Sequence, residues 1–226
     1  VERSLRVLDG MVAVFDAKEG VEAQSETVWR QANKYGVPRI CFLNKMDKPG
    51  ADFAASFASL RKRLGAHPVA LVIPIGAEIH FEGVIDLLTM KAYYFDAEQQ
   101  GLKFDVRDVP AHLAEEAQQW RHDLVEKAAE NSEALMEKYL HDQPISVPEL
   151  KLAIREATIK NALQPVLCGS SLKYVGVQLV LDAVCDSLPS PLEIPPAVGM
   201  DPKEKKHTIE VPPDPDAPMA ALVFKV

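Results

Sequence analysis

Four residues with base-reading chemistry, Asn44-Lys45-Met46-Asp47, directly follow the apolar run Ile40-Cys41-Phe42-Leu43. An aspartate carboxylate can accept two parallel hydrogen bonds from guanine, one from the ring N–H and one from the exocyclic amine that adenine lacks. The asparagine can serve the N7/O6 edge, and the aliphatic stem of the lysine can cover a base face. The same residue types are common in plain turns, so the tetrapeptide alone leaves both interpretations open.

A second polar segment, Gly169-Ser170-Ser171-Leu172-Lys173, follows another short apolar run. A small hydroxyl residue followed by a backbone N–H can bind the guanine O6, and Ser170 could also brace the Asp47 carboxylate. The alternative is a strand-to-helix loop with a serine cap. Because each segment ends a predicted parallel strand, we expect both to lie at the same edge of one sheet.

Helices and strands alternate along the first part of the chain. Apolar spacing predicts helices over 3–10, 21–35 and 52–64, and strands buried on both faces over 11–17 and 37–43. A last strand over 164–171 and a helix over 175–188 continue the pattern. This order indicates an α/β fold with a parallel sheet and helices on both of its faces.

A different pattern, rich in Val, Ile and Tyr and then in helical stripes, interrupts this alternation. One stripe consists of Leu113, Ala117, Trp120, Leu124 and Ala128, and Ser146 with Glu149 forms a capping box. We therefore predict five segments. They are the first part of the α/β domain (1–65), an α+β insertion (66–162), the last strand and helix of the α/β domain (163–192), a proline-rich linker (193–218), and the first strand of a β-barrel domain (219–226).

The composition excludes several classes of protein. A net charge of −8 over 226 residues argues against direct binding of nucleic-acid phosphates as the main role of this chain. Each of the three cysteines, Cys41, Cys168 and Cys185, lies in an apolar segment, so we expect reduced core residues of a cytosolic-type protein. The six histidines show no metal-ligand spacing, and no apolar run approaches the roughly 20 residues of a membrane span.

Together these segments resemble the translational GTPases and, within them, the elongation factor G group. The resemblance covers the whole chain and rests on the following segments. They are Val1–Gly10 after the family's second switch, Val12–Ala17 and Gly20–Arg30 as its next strand and helix, Asn44–Asp47 as the base-specificity motif, Cys168–Lys173 as the final guanine-contact loop, 66–162 as the extra subdomain, and Pro189–Leu192 with Ala220–Val226 as the exit into a β-barrel domain.

The resemblance implies a guanine site and GTP or GDP as the ligand. Its base-binding residues would be Asn44, Lys45 and Asp47, with Ser170, Ser171 and Leu172 completing the pocket. The family more often has alanine where Ser171 stands, so the contact expected there is to the backbone N–H. The implied fold is the C-terminal part of a P-loop GTPase sheet, broken by the insertion and ending in the first strand of a β-barrel.

The resemblance implies no catalytic residue within these 226 residues. The phosphate-cradling pattern G-x-x-x-x-G-K-[ST] is absent, and Asp47-Lys48-Pro49-Gly50 matches the switch pattern Asp-x-x-Gly by letters only. We expect an internal fragment that lacks the phosphate loop, the switches and most later domains. Mg²⁺ would be bound in the intact protein only, by ligands outside this chain. Alone, the fragment should hydrolyse no GTP and bind guanine nucleotides weakly or not at all.

The insertion carries a group of acidic residues that could bind a partner, and the resemblance implies which partners these are. Residues 111–142 carry eight acidic and three basic side chains, and Glu115, Glu116 and Asp123 could dock a basic partner or simply form a solvated face. In the family this subdomain meets the ribosomal stalk protein. The resemblance implies a monomeric, cytoplasmic translocase that couples GTP hydrolysis to movement of tRNA and mRNA on the ribosome, with no membrane contact. An organellar matrix stays open as its location.

Three alternatives stay open at the level of sequence. Another ribosomal GTPase with a similar insertion, acting in release-factor recycling or ribosome protection, would share these motifs. A non-catalytic module that interacts with the ribosome would use the same fold as a scaffold. A dinucleotide-dependent oxidoreductase is remote, because Gly-x-Gly-x-x-Gly is absent.

Overall fold

The computed structural model describes residues 2–96, 99–200, 208–214 and 216–223. Its α-helices are α1 (Glu2–Leu5), α2 (Ala23–Lys34), α3 (Phe53–Leu64), α4 (Ala114–Ala129), α5 (Glu133–Leu140), α6 (Val147–Ile159) and α7 (Val177–Ser187). Its strands are β1 (Met11–Asp16), β2 (Arg39–Asn44), β3 (Pro68–Ala70), β4 (Val72–Ile75), β5 (Gly83–Asp86), β6 (Lys91–Phe95), β7 (Phe104–Asp108), β8 (Gln164–Cys168), β9 (Ala197–Met200) and β10 (Thr208–Val211).

A parallel sheet with the order β1-β2-β8-β3 forms the centre of the fold. Strands β2 and β8 are buried along nearly their whole length, which agrees with their continuous apolar sequences. All three of the pairings in this sheet are parallel, so the carboxyl ends of the strands meet at one edge. The mixed α/β architecture with a parallel sheet and helices is confirmed.

An antiparallel sheet with the order β4-β5-β6-β7 is joined directly to the parallel one. Only Leu71 separates β3 from β4, and its N–H donates to Val166 O at 2.8 Å while its own carbonyl accepts from Leu87 N at 2.9 Å. One extended segment thus belongs to both sheets. The parallel sheet therefore continues past residue 66, where we had placed the start of the insertion.

The helices of the insertion pack on the parallel sheet and do not form a separate body. The predicted stripe of α4 is buried at Ala117, Leu124 and Ala128. Trp120 lies edge-on against Phe57 of α3, with ring centroids 5.1 Å apart. Residues of both sheets belong to one continuous buried cluster, which ties the geometry of the insertion to that of the sheet.

Two expectations of burial are wrong. Strand β1 is an edge strand with only one buried face, and Val14 is 58% exposed. Cys185 is exposed, because it lies on the outer side of α7, whereas Cys41 and Cys168 are buried. The linker 193–218 contains β9 and β10, which pair antiparallel. Residues 219–223 form no strand, and the rest of the predicted barrel strand lies outside the described residues.

Candidate functional site

Three neighbouring strands deliver polar residues to the same edge of the parallel sheet. Strand β1 ends at Asp16, β2 ends at Asn44, and β8 leads into the loop at Gly169. Asp16 and Asn44 are direct partners in the register of β1 and β2. The structure therefore brings together the two segments that the sequence indicated, and it adds Asp16 from the edge strand.

The Asn44 side chain links the two loops. Its Oδ1 accepts from Ser171 N at 2.9 Å and from Lys45 N at 2.8 Å, and its Nδ2 donates to Ser171 Oγ at 2.9 Å. A further backbone bond runs from Met46 N to Gly169 O at 3.0 Å. These bonds occupy both acceptor positions of Oδ1 but leave one Nδ2 hydrogen, which can be donated to a ligand.

Lys45 is held in place by Asp16. Its Nζ lies 2.7 Å from Asp16 Oδ2, and Asp16 Oδ1 accepts from Lys18 N at 2.9 Å. The hydrogen bond to Asp16 raises the pKa of Lys45. Partial burial opposes ionisation of Asp16, but the hydrogen bonds from Lys45 and Lys18 outweigh it and lower the pKa of that carboxyl. The ion pair fixes the lysine stem along the strand ends, with a backbone φ of 67° at Lys45.

Asp47 is a buried carboxylate with little protein compensation. The residue is 8% exposed, and its polar contact among the described residues is Lys173 Nζ, 3.8 Å from Oδ2. That distance is too long for a hydrogen bond. Buried carboxylates are normally hydrogen-bonded, because an unpaired one loses its solvation. The Asp47 oxygens are therefore available to a ligand that brings N–H donors.

Glycine is needed at the entry to the second loop. A Cβ at Gly169 would lie 2.2 Å from Val175 O and 3.1 Å from the Phe42 ring. The closeness follows from two backbone bonds, each of 3.0 Å, that join Ser170 and Val175 across the loop. Residue 169 must lack a side chain for the loop to close through Ser170 and Val175.

The serines and Leu172 are placed differently from the details of the sequence prediction. Among the described residues no hydrogen bond joins Ser170 to Asp47, and the Ser170 Oγ accepts from Lys173 N at 3.3 Å. The Ser171 N–H, which we expected to meet guanine O6, is donated to Asn44. Leu172 is 73% exposed, and its N–H makes no hydrogen bond to the described residues. The Leu172 amide is thus the better-placed donor to a base oxygen.

The three acidic residues proposed for docking differ in their exposure and contacts. Glu115 and Glu116 are exposed in the first turn. Asp123 is half-buried, accepts from Gln119 Nε2 at 3.3 Å, and lines a cleft of about 260 Å³ with Lys62 and Lys127. An exposed acidic pair is therefore separate from a charge-compensated cleft.

Two neighbours of the loops were missed in the sequence. Asp16 could have been found by the rule that ligands meet the carboxyl ends of parallel strands, since it ends β1. Glu78, from the β4–β5 hairpin, hydrogen-bonds to the loop after Asp47, and no local pattern indicates that contact. In the described residues no group of three or more His, Cys, Asp or Glu is arranged to hold a metal ion, and no helix has both the length and the apolar character to cross a membrane.

The fold and the site define a class of protein: an α/β domain in which two polar loops meet at the carboxyl edge of the parallel sheet. Residues 1–190 match the family model described as the elongation factor Tu GTP binding domain. The match covers most of the chain, so the chain belongs to this family of GTP-binding domains.

A solved structure supports the same assignment. A crystal structure of a protein from Thermus thermophilus is similar to 89% of this chain, with a TM-score of 0.75 and 29% sequence identity. The match covers 31% of that protein, so the chain spans about a third of the length of its structural relative.

Proposed function

We propose that this chain is the guanine-recognition portion of a ribosomal translocase GTPase. In the intact protein, GTP hydrolysis would drive the movement of tRNA and mRNA during polypeptide elongation. Membership of the GTP-binding family supports the general class. The observation that carries base recognition is Asp47, a buried carboxylate beside two loops that Asn44 locks together.

The donors and acceptors of the site complement guanine one by one. The Asp47 oxygens accept from the ring N–H and the exocyclic amine, and the remaining Nδ2 hydrogen of Asn44 is donated to N7. The Leu172 N–H is donated to O6. The Lys45 stem, fixed by Asp16, covers one face of the base. Adenine offers no amine to Asp47 and would leave that buried carboxylate without a hydrogen-bond donor, so it is rejected.

The base edge supplies selection, whereas phosphate contacts supply most of the affinity and the catalysis in such enzymes. The 226 residues contain no phosphate-loop pattern. We therefore propose that this chain alone hydrolyses no GTP and binds GDP weakly or not at all. Submicromolar GDP affinity of the isolated chain in a titration would contradict this.

The open edge of the parallel sheet supports a larger intact domain. Strand β1 has β2 on one side and no partner strand among the described residues on the other. Val12 is 36% exposed and Val14 is 58% exposed, although such side chains favour burial in a parallel sheet. We propose that the phosphate-binding strands of the intact protein cover this edge.

The residues present do not fit a magnesium site. No suitable acidic cluster occurs in the part of the chain that the structure describes, and the Asp16 carboxylate is already paired with Lys45. The carboxylate of Asp47 is committed to the base in the proposal above. Any Mg²⁺ of the intact GTPase would take its ligands from elsewhere.

The proposed partners are the ribosome, its stalk protein at the insertion, and tRNA and mRNA indirectly. The exposed pair Glu115 and Glu116 supports docking of a basic partner. A monomeric protein in the cytoplasm or in an organellar matrix is consistent with these partners.

Translocation by the intact protein with altered base specificity tests the function. Asparagine at position 47 keeps one acceptor and gains a donor, so it complements xanthine, whose 2-oxygen replaces the guanine amine. We expect the Asp47→Asn protein to lose GTP-driven movement of mRNA on ribosomes and to regain it with xanthosine triphosphate.

Each other outcome has a definite meaning. Ribosome-stimulated GTP hydrolysis by the wild type without mRNA movement would replace translocation by release-factor recycling or ribosome protection. No hydrolysis on ribosomes would favour a non-catalytic interaction module. Unchanged nucleotide preference in Asp47→Asn would overturn the base site itself.

A further inference from the structure

The insertion contacts the loop that carries Asp47 (residues 45–50) at two points, both through Glu78. This residue lies at the tip between β4 and β5, in a single 3-10 turn. Its backbone N–H donates to Met46 O at 2.8 Å, and its Oε1 accepts from Gly50 N at 2.7 Å. Asp47 lies between the two residues that Glu78 holds, so a single residue spans the segment that positions the carboxylate.

The shape of the tip is tightly constrained. Glu78 has a backbone φ of 56° and Gly50 has a φ of 86°, so both residues are in the left-handed region. A Cβ at Gly76 would lie 2.0 Å from His80 O, which shows how closely the turn folds on itself. A non-glycine residue held in this conformation costs free energy and persists only where the surroundings determine it. The two hydrogen bonds to the loop, together with the bond from Phe81 N to Glu78 O within the turn, help to hold this conformation.

The second loop is braced in a similar way by the β6–β7 turn of the same sheet. Gly101 O accepts from Gln178 Nε2 at 2.8 Å, and Gln178 Nε2 also lies 3.2 Å from Tyr174 O. A Cβ at Gly101 would lie 2.5 Å from Tyr174 O. The antiparallel sheet thus contacts both loops of the site, each through a hairpin turn.

We infer that Glu78 is a positioning residue for guanine recognition: it fixes the loop that carries Asp47 and so couples the insertion to the base pocket. This inference rests on the proposed function of Asp47. Glu78 does not touch the base itself. Without its carboxylate, Gly50 N–H loses its acceptor and the loop can move, and small displacements of a recognition group cost much of its selectivity.

Three variants of the intact GTPase separate positioning from general stability. Glu78→Ala removes the acceptor, Glu78→Gln keeps a neutral acceptor of the same length, and Glu82→Ala is the matched control. Glu82 is exposed on the same hairpin, and its N–H donates to Ile75 O, a bond that alanine retains. The measurements are the GDP dissociation rate, the ratio of the affinities for GDP and for inosine diphosphate (IDP), amide hydrogen exchange at Gly50, and the melting temperature. IDP differs from GDP only by the missing exocyclic amine.

The expected pattern is specific to Glu78. Loss of a hydrogen bond to a charged acceptor should raise the GDP dissociation rate about 5- to 10-fold in Glu78→Ala and reduce the GDP-to-IDP ratio about 3-fold. Gly50 should exchange faster, Glu78→Gln should restore most of each value, and Glu82→Ala should match the wild type.

The inference and the proposed function fail in different ways. If Glu78→Ala matches Glu82→Ala in dissociation, base ratio and Gly50 exchange, the inference is overturned while the base site stands. If the loss in Glu78→Ala only follows a lower melting temperature, with the GDP-to-IDP ratio unchanged, positioning is also overturned. If the wild type shows no preference for GDP over IDP, the proposed function of Asp47 fails, whatever the exchange at Gly50 shows.

Discussion

The carboxyl edge of the parallel sheet and the start of α4 both carry carboxylates, but these differ in burial and in the hydrogen bonds around them. At the sheet edge, Asp47 is buried and poorly compensated, and the loops around it are joined by hydrogen bonds. At α4, Glu115 and Glu116 are exposed at a helix N-terminus, where the helix dipole favours negative charge and the carboxylates keep their hydration. A buried carboxylate that lacks a protein hydrogen-bond donor indicates a ligand, whereas an exposed one indicates at most long-range attraction.

This difference predicts that backbone fit matters most at the sheet edge. The Cβ introduced by Gly169→Ala meets the carbonyl oxygen of Val175, so we expect a loss of about 2–4 kcal/mol in the free energy of unfolding. Gly36→Ala is the matched control. It has a φ of 63° but open space around a Cβ, so only the conformational cost of about 1 kcal/mol is expected. Urea denaturation of both variants measures the difference, and equal losses would contradict the close contact between residue 169 and Val175.

The link between the two loops should control affinity for the base. Asn44→Ala removes the bonds to Ser171 and the donor to N7, so GDP binding by the intact protein should weaken about 30-fold. Asn33→Ala, on the exposed side of α2, should leave affinity unchanged. Calorimetric titration with GDP checks both. Similar affinities for the two variants would show that the observed link does not organise the site.

The acidic start of α4 should behave in the opposite way. Charge reversal by Glu115→Lys with Glu116→Lys should leave GDP affinity unchanged, since neither residue lies at the sheet edge. It should slow ribosome-stimulated GTP turnover about 3- to 10-fold at low salt, because a rim charge acts mainly on association. Glu82→Lys with Glu156→Lys gives the same change in net charge on other exposed positions. Equal slowing in both pairs would replace docking by a general charge effect.

The smallest effect is expected at Glu149, an acidic residue of the insertion that is fully engaged. Hydrogen bonds from Lys138 and Ser146 lower its pKa from 4.5 to about 2. Because the folded pKa is depressed, its stabilising contribution is present above pH 4.5 and is lost as the pH falls towards about 2. In Glu149→Gln, which can still cap α6, the melting temperature should be slightly lower than in the wild type at about pH 6, and the difference should disappear as the pH falls through about 2. A constant difference across this range would contradict the ionic contribution.

Local patterns in the sequence predicted much of this architecture. Continuous apolar runs located β2 and β8, and the capping box at Ser146 was confirmed at the start of α6. The meeting of Asn44 with Ser171 followed from one physical rule, that parallel strands end at a common edge. These predictions succeeded because they depend on periodicity and on strand direction, which neighbouring residues in the sequence determine.

Several failures concern contacts between distant parts of the chain. The exposure of Val14 depends on which strands flank β1, and a run of apolar residues cannot show that. The commitment of the Ser171 N–H to Asn44 joins residues 127 positions apart. The contact of Glu78 with Gly50 depends on a hairpin that folds back onto the first loop. Sequence patterns indicate which side chains could bind a ligand, whereas the fold determines which of their donor and acceptor atoms remain free to do so.

The availability of the Asp47 carboxylate is the central claim, and a nucleotide lacking one donor tests it most directly. Inosine diphosphate differs from GDP only by the missing exocyclic amine. In the intact protein we expect IDP to bind about 10- to 100-fold more weakly than GDP, the value of one hydrogen bond to a charged acceptor. In Asp47→Ala the two nucleotides should bind equally. Equal binding of GDP and IDP by the wild type, or an undiminished preference in Asp47→Ala, would contradict the assignment.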